Sequence, residues 1–448
     1  MSLKVSVESL GCAKNLVDSE IMMGLLDKYS YQLTDQKEIA DIIIVNTCGF
    51  IEAAKQESID TIIELGKFKE EGNCKILVVA GCLGERYSDE LLEELPEVDA
   101  IIGTGNYPEI IQIIDEALRG NRISKSGDMN IKISEDLPRL LATPKYSAYL
   151  KIADGCDNCC TYCIIPKLRG SYRSRDIESI MSEAQTMVNN GVKELILIAQ
   201  DTTRYGIDLY GEYRLTQLLS QLCTIEDLQW IRILYCYPDE INEELIDIIT
   251  REEKICKYLD MPIQHCNNEV LKRMNRKTTK EHIMNVIERL RKKIPDISLR
   301  TSLIVGFPGE TNEQFEELAS FVKEMEFDKL GVFTYSQEED TPAAKLKDQL
   351  DESIKEIRRD EIMLIQKDIS LKKNREKIGK IYDILVEEKL EEENVYIGRT
   401  IYDAPEIDGI VYFSSVLLLN PGDFVKVRIT DALEYDLTGE MILNESCE

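Results

Sequence analysis

Histidine is nearly absent from this chain: only His265 and His282 occur in 448 residues. That excludes a histidine-rich metal site and any mechanism needing several imidazole bases. Long apolar runs are missing too. No stretch approaches the length that crosses a bilayer, and Met1 to Cys12 carries no basic segment leading into an apolar one, so a cytoplasmic protein with no membrane partner is expected. Positive charge is scarce, with 54 Lys and Arg against 83 Asp and Glu and a net charge of −29. A surface of that sign repels nucleic acid unless local patches compensate, and it draws basic partners; plain solubility is the simpler account of the overall charge alone. Cysteine, by contrast, is plentiful at thirteen. An odd count in a reducing compartment points to metal ligands and buried thiols rather than disulfides. The length suits about three domains.

The run Lys151 to Gly170, KIADGCDNCCTYCIIPKLRG, concentrates four of these cysteines. Cys156, Cys160 and Cys163 form C-x3-C-x2-C, whose unequal gaps let one short loop wrap three corners of a cubic iron–sulfur cluster and leave the fourth iron open to a small molecule. The same run also parses as abutting pairs, Cys156/Cys159 and Cys160/Cys163, which suggests zinc or a dithiol. Zinc ribbons place their pairs on separate knuckles, so the cluster is the favoured reading, with Cys159 a spare.

Toward the N-terminus strands alternate with helices. Lys4 to Glu8, Asp41 to Asn46 and Lys75 to Ala80 read as strands, the last two as continuous apolar runs buried on both faces of a parallel sheet. Cys12, Cys48 and Cys82 each follow one of them, in GCAKN, NTCGF and AGCLG, beside Gly11, Gly49 and Gly81. Parallel strand ends of one polarity share an edge, so these distant thiols should meet and offer three ligands for a second cluster. A single cysteine in such a place is usually a small buried hydrophobe. Cys74 precedes its strand and falls at the opposite edge.

After a polar stretch with Pro138 and Pro144 come six candidate strands, from Ser147 to Ala153 through Lys329 to Thr334, with amphipathic helices between them. Helix starts with capping boxes are expected at Thr278/Glu281 and Thr311/Gln314. Six such units curl into an open partial (β/α)6 barrel. Polar residues gather at its C-terminal strand ends, where barrel folds hold their sites: Gln200 and Asp201, Tyr237 and Pro238, Gln264 and His265, and VGFPGE at Val305 to Glu310. Arg169, Arg173 and Arg175 face either a ligand carboxylate or solvent, and His282 reads as structural. Asp351 to Lys377 reads as a charged connector helix with Ile354, Ile357, Ile362, Leu364, Ile365 and Ile369 as its apolar residues. Short alternating strands follow and predict a small OB-like β-barrel. From Ile378 on, five Lys or Arg stand against sixteen Asp or Glu, a balance of −11 and the wrong sign for a phosphate-binding surface. The expected class is therefore α/β, with a doubly wound domain over 1–122, a linker over 123–145, the partial barrel over 146–373 and the small barrel over 378–448.

The two cysteine triads, Tyr162 before the last cysteine of the second, and the terminal barrel together resemble the radical S-adenosylmethionine (SAM) methylthiotransferase family over nearly the whole chain. LGCAKNLVDSE at Leu10 to Glu20, CIIPKLRG at Cys163 to Gly170 and GRTIYDAPEIDG at Gly398 to Gly409 are similar to the branch that modifies an aspartate of ribosomal protein S-twelve. The resemblance implies a transferase with two 4Fe–4S clusters, on Cys12/Cys48/Cys82 and on Cys156/Cys160/Cys163, a C-terminal TRAM domain, a reducing electron donor, and the ribosomal protein or the small subunit as partner. It implies that SAM at the second cluster is split to a 5′-deoxyadenosyl radical that takes hydrogen from the aspartate β-carbon, with the methylthio group assembled at the first cluster. Tyr162, Gln200, Gly306 and Gly309 are the candidate SAM contacts, and no further catalytic residue is assigned. The alternatives are methylthiolation of a tRNA adenosine and a non-catalytic zinc-containing adaptor. Against the first stands the acidic barrel, which is not expected to grip RNA tightly.

Overall fold

The computed structural model describes residues 2–127, 129, 137–390 and 394–442. The first sheet is wholly parallel and contains β1 (Lys4–Ser9), β2 (Gln32–Leu33), β3 (Ile42–Thr47), β4 (Ile76–Gly81), β5 (Ala100–Ile102) and β6 (Ile123–Lys125) in the order β2-β1-β3-β4-β5-β6. Every residue of β3 and β4 is buried, as unbroken Ile/Val/Leu runs require of strands covered on both faces. The strand order reverses between β1 and β3, which makes the crevice beyond their C-terminal ends the natural ligand position. This sheet continues three residues into the stretch expected as linker, through β6. The rest of that stretch lies partly outside the described residues. From Leu137 on it is pinned: the Arg139 guanidinium donates to Glu20 (2.8 Å), Glu183 (2.7 Å) and the Tyr149 carbonyl (2.7 Å), and the Ala142 N–H donates to Glu20 (2.7 Å).

The second sheet is parallel as well. β7 (Ser147–Lys151), β10 (Glu194–Ile198), β11 (Trp230–Ile233), β12 (Ile255–Asp260), β13 (Ser298–Val305) and β14 (Lys329–Thr334) lie in sequence order, an open six-stranded partial barrel; β8 (Ala153–Asp154) and β9 (Arg173–Ser174) form a separate two-stranded ribbon around the cysteine loop. Leu195, Leu197 and Leu299 pack outward on helices, while Ile196, Ile198 and Tyr258 face inward. That inner face is covered by the first helix (Ala13–Lys28), through Val17, Ala13 and Leu16, and by Leu385, Ala404, Ile401 and Phe424 of the C-terminal domain.

Two local expectations differ. Thr311 and Gln314 do form a reciprocal capping box. At the other helix, however, Thr279 rather than Thr278 is the cap, its hydroxyl accepting from the His282 N–H at 3.3 Å, which leaves Glu281 one position short of closing the box. The helix Glu352–Arg375 also buries a different face from the one its isoleucines mark: Ile362 and Ile369 are inside, but Ile354, Ile357 and Leu364 are exposed. Its inner face carries polar side chains that serve the ends of other elements. Lys355 donates to the Tyr335 carbonyl (3.0 Å), Arg358 to Glu310 (2.7 Å) and Gln366 to the Phe327 carbonyl (2.9 Å).

The C-terminal domain is a closed barrel of β15 (Ile381–Lys389), β16 (Val395–Thr400), β17 (Val411–Ser414), β18 (Phe424–Ala432) and β19 (Leu437–Met441), closing in the order β15-β16-β17-β19-β18. Charged pairs buried from water seat it on the second sheet. Glu194 accepts from Arg399 (2.6 Å) and sits 3.0 Å from Arg232, Lys329 pairs with Asp403 (2.5 Å), and the Tyr258 hydroxyl donates to Asp408 (2.7 Å).

Candidate metal centres at the domain junction

Cys12, Cys48 and Cys82 stand at the C-terminal ends of the adjacent strands β1, β3 and β4, Cys12 as the residue before the first helix and Cys82 opening the helix Cys82–Arg86. Gly11 is held at φ 88°, and a Cβ there would lie 2.8 Å from the Cys48 Cβ; the crossing of these two loops depends on glycine. Alongside burial, the charge of Cys12 raises both Cys48 and Cys82, and that of Cys48 also raises Cys82. Cys12 is exposed to solvent, yet the protein packed around its sulfur opposes ionisation of the thiol. Lys14, Arg169 and the N–H groups of Asn15 and Lys14 outweigh it, so its pKa falls below the ordinary thiol value. Burial raises Cys48, and it pushes Cys82 up to about 12 despite Arg169 nearby. Burial lowers Lys14 itself to about 8.

The second set sits on the loop leaving β8. Gly155, at φ 80°, turns the chain where a Cβ would lie 2.0 Å from the Ser171 carbonyl oxygen, and the Cys156 N–H then bonds to the Gly170 carbonyl at 3.1 Å. The far side of the loop is tied to the segment after the helix Asn268–Arg273: the Thr161 N–H donates to the Met274 carbonyl (3.0 Å), and the Asn275 amide donates to the Cys159 carbonyl (2.9 Å). Cys156, Cys160 and Cys163 interact electrostatically with one another, and burial raises Cys156 to about 11 and Cys163 higher still. The Tyr237 hydroxyl lies 3.2 Å from the Cys160 sulfur, under the Arg276 guanidinium 4.0 Å from its ring centroid. Cys159 is exposed, on a left-handed backbone at φ 51°.

The two sets adjoin. Cys82 packs against Ile164, which directly follows Cys163, and against Leu168 in the short helix after it. Asn15 couples the loops: its amide donates to the carbonyls of Leu10 (3.1 Å) and Thr47 (2.9 Å), and its oxygen accepts from Arg169 at 2.6 Å. Arg169 also reaches Asp18 (2.9 Å) and Asp154 (3.0 Å), and Lys151 pairs with the same two carboxylates at 2.5 and 3.2 Å. Burial alone would raise Asp154, but Lys151 and Arg169 hold it well below the usual carboxylate range. Arg169 and Arg175 therefore face neither a ligand carboxylate nor solvent; both are buried on protein partners, Arg175 on Glu183. Asn15 and Asp18 had no individual signal in the sequence beyond polar residues following a cysteine, because their partner Arg169 comes from another domain.

Of the candidate SAM contacts, Gln200 donates to Asp154 at 2.8 Å and keeps its buried oxygen without a hydrogen-bond partner among the described residues. Tyr162 is packed against the group containing Phe307 and Tyr335 and interacts with Cys160. Gly306 and Gly309 both lie at φ 73°; a Cβ at the first would meet Lys355 at 2.3 Å and at the second Arg273 at 2.9 Å, so these glycines make room for side chains of this chain. His265 is buried, and burial lowers it to about 3; its Nε2 is 3.7 Å from Glu310. His282 lies in the helix Lys280–Lys293, 3.4 Å from the Pro238 carbonyl.

The donor chemistry of both sets fits an iron–sulfur cluster: thiols alone, three at each, on loops with a Cβ-free approach. Among the described residues no three His, Cys, Asp or Glu side chains converge on a point that one metal ion could occupy. Thiolates at the corners of a cubane stand further apart than those around one tetrahedral ion. The twelve described cysteines are all free thiols, and no described helix is long and apolar enough to cross a membrane.

Comparison with known proteins agrees with this architecture. Residues 4–103 match Uncharacterized protein family UPF0004, 150–322 the Radical SAM superfamily and 378–442 the TRAM domain. Ribosomal protein uS12 methylthiotransferase RimO of Clostridioides difficile is 57% identical over 98% of this chain and 99% of its own length. The protein of the same name from Desulforamulus reducens is 54% identical over 98% and 99%. Among solved structures, the radical SAM methyltransferase TsrM from Kitasatospora setae, with cobalamin and a [4Fe-4S] cluster bound, overlays at a TM-score of 0.56, covers 77% of each chain and shares 13% identity, a likeness of fold. With its three matched domains and full-length relatives at this identity, the chain belongs to the RimO family of radical SAM methylthiotransferases.

Proposed function

We propose that this protein transfers a methylthio group to the β-carbon of an aspartate of ribosomal protein uS12, with 4Fe–4S clusters on both cysteine sets. The observation that carries the reading is the meeting of two three-thiol sets from different domains at one junction, joined through Asn15, Arg169 and the Cys82–Ile164 contact. A cluster on Cys156, Cys160 and Cys163 supplies, when bound, an open iron for SAM and the electron that cleaves it. Around it the chain's own residues do three things. Gly155 and the Gly170 carbonyl fix the loop, Tyr237 offers a hydroxyl to the Cys160 sulfur, and Gln200 presents its unpartnered oxygen beside Asp154. At the other set, Lys14 and Arg169 favour the Cys12 thiolate, the form that ligates iron. The 1–122, 146–373 and 378–448 divisions are kept as the functional units, with the helix Glu352–Arg375 lying along β14 between the last two.

Cys159 lies outside this scheme. Cys159→Ala is expected to retain SAM cleavage measured as 5′-deoxyadenosine, while Cys160→Ala loses it; the opposite pattern would show that the wrong triad had been chosen.

Substrate choice is tested by incubating the reduced, reconstituted enzyme with purified uS12, small ribosomal subunits or unmodified tRNA, and looking for the added methylthio mass. Mass on tRNA with none on the protein sinks the reading. The acidic barrel makes a companion prediction. Glu388, Glu406 and Glu440 are exposed, whereas Arg399, one of its few cations, is buried against Glu194. Reversing those three glutamates to Lys should slow capture of basic uS12 without changing SAM cleavage in its absence. The wild-type advantage should fade as salt shortens the screening length from about 10 Å at 0.1 M to about 3 Å at 1 M. Stopped-flow association over a salt series checks this.

A further inference from the structure

Lys14 is a largely buried side chain whose ammonium has the Cys12 thiol as its nearest acidic neighbour and no carboxylate of its own. It belongs to the first turn of the first helix, is 6% exposed, and among the described residues its ammonium makes neither an ion pair nor a hydrogen bond. Its one close partner is an aromatic face: Nζ lies 3.1 Å from the centroid of the Tyr235 ring. The carboxylates in its neighbourhood are already committed. Asp154 is taken by Lys151, Arg169 and Gln200, and Asp260 by Arg300 at 2.9 Å and the Tyr235 N–H at 3.0 Å. An aromatic face holds a cation in place while leaving its hydrogen-bond donors open to an incoming acceptor.

The platform under it is held with strain. Tyr235 follows β11 at φ 60°, a left-handed conformation that is a genuine outlier for a bulky residue. Its backbone is fixed on both sides, by Asp260 at the N–H and by the Thr202 N–H at the carbonyl (3.0 Å). The ring is thus kept at the mouth of the partial barrel, where it supports Lys14 within electrostatic reach of Cys12 and of Asp154, two residues before Cys156.

That position has a chemical consequence. The carbon to be modified in an aspartate side chain is bonded directly to its carboxyl group. A substrate presented with its β-carbon between the two thiol sets must place a carboxylate within a few ångströms of the same point, and an unpaired, ring-supported ammonium is the complement of that group. We propose that Lys14 is the specificity-determining residue that receives the side-chain carboxylate of the substrate aspartate, a role that rests on the uS12 reading above. Arg169 cannot do this, because Asp18, Asp154 and Asn15 already occupy its guanidinium.

The test is a binding cycle on the reconstituted holoenzyme with SAM and without reductant, so that no turnover intervenes. The affinity of uS12 and of its target Asp→Asn variant is measured for wild-type enzyme, Lys14→Met and Lys14→Arg. Wild-type enzyme should favour the Asp form by about tenfold or more, the range of a charge-assisted hydrogen bond. Lys14→Met should bind the two forms equally, and Lys14→Arg should restore part of the preference. An Asp/Asn ratio that Lys14→Met leaves unchanged overturns the assignment. So does a loss confined to SAM affinity, which would make the cosubstrate's carboxylate the group received, or a loss confined to iron content, which would make Lys14 a partner of the Cys12 thiolate alone. Failure of wild-type enzyme to bind uS12 at all would instead remove the functional reading on which this role depends.

Discussion

Replacing Cys156, Cys160 and Cys163 together with Ala is expected to leave about half the iron and sulfide of the reconstituted wild type and to reduce SAM cleavage to background. The complementary variant, with Cys12, Cys48 and Cys82 changed to Ala, is expected to keep the other half of the iron, to go on cleaving SAM, and to add no methylthio group to uS12. Anaerobic iron and sulfide analysis with EPR of the reduced proteins reads the first pair of outcomes, and mass spectrometry of uS12 reads the last. The asymmetry follows from the way the sites are built. Each set of thiols is assembled by one domain, from strand ends of a single sheet or from one loop, so either can form while the other is missing. Stoichiometric zinc with no iron after reconstitution would defeat the assignment. Iron falling to zero in either triple variant would mean that the sets form one centre.

The second large effect is expected at Glu194, far from the thiols. Its carboxylate is completely buried among Arg399, Arg232 and Ser147, and it anchors the C-terminal barrel to the start of β10. Glu194→Gln removes the anion but leaves the cations, and breaking a buried pair from one side typically costs about 3–5 kcal/mol. The loss should appear as a lower urea midpoint for unfolding of the barrel, and as faster hydrogen exchange in β15 and β16. Its pH dependence has a definite sign. Burial alone would raise the Glu194 pKa, but Arg399 and Arg232 lower it to about 2, below the ordinary glutamate value of about 4.3. A depressed carboxylate pKa contributes stability that is fully present above the unfolded value and disappears as pH falls through the folded one. The difference between wild type and Glu194→Gln should therefore be largest at neutral pH and shrink from about pH 4.3 toward about 2. A difference that stays constant through that window would show that the charge is not what holds the barrel.

Much of this molecule is legible from local pattern. The apolar runs of β3 and β4, the alternation in β13, and the turn-punctuated strands of the barrel are dictated by which faces must be buried, and a period of two or an unbroken run reports that directly. The cysteines that follow three parallel strands share an edge by topology alone, whatever the details of packing. Where local pattern misled, one cause was a one-residue shift at a helix start and the other was long-range partners. Thr279 caps its helix in place of Thr278 because the backbone enters one residue later, a shift that sequence spacing does not resolve. The helix Glu352–Arg375 turns Lys355, Arg358 and Gln366 inward because carbonyls and a carboxylate at the ends of neighbouring elements need donors there, and that need outweighs the exposure of Ile357 and Leu364.

The same division holds at the site. Residue type and spacing determined that two sets of three thiols exist, that histidine plays no large part, and that the terminal barrel is acidic, because ligand chemistry and charge are properties of the residues themselves. Only the tertiary structure decided that the sets adjoin through Cys82 and Ile164, that Arg169 is spent on Asn15, Asp18 and Asp154, and that Lys14 is left unpaired above Tyr235. Each of these depends on groups from different domains, far apart in the chain, meeting in a buried space. There water no longer screens them, so that a charge must find its partner within a few ångströms or stand without one.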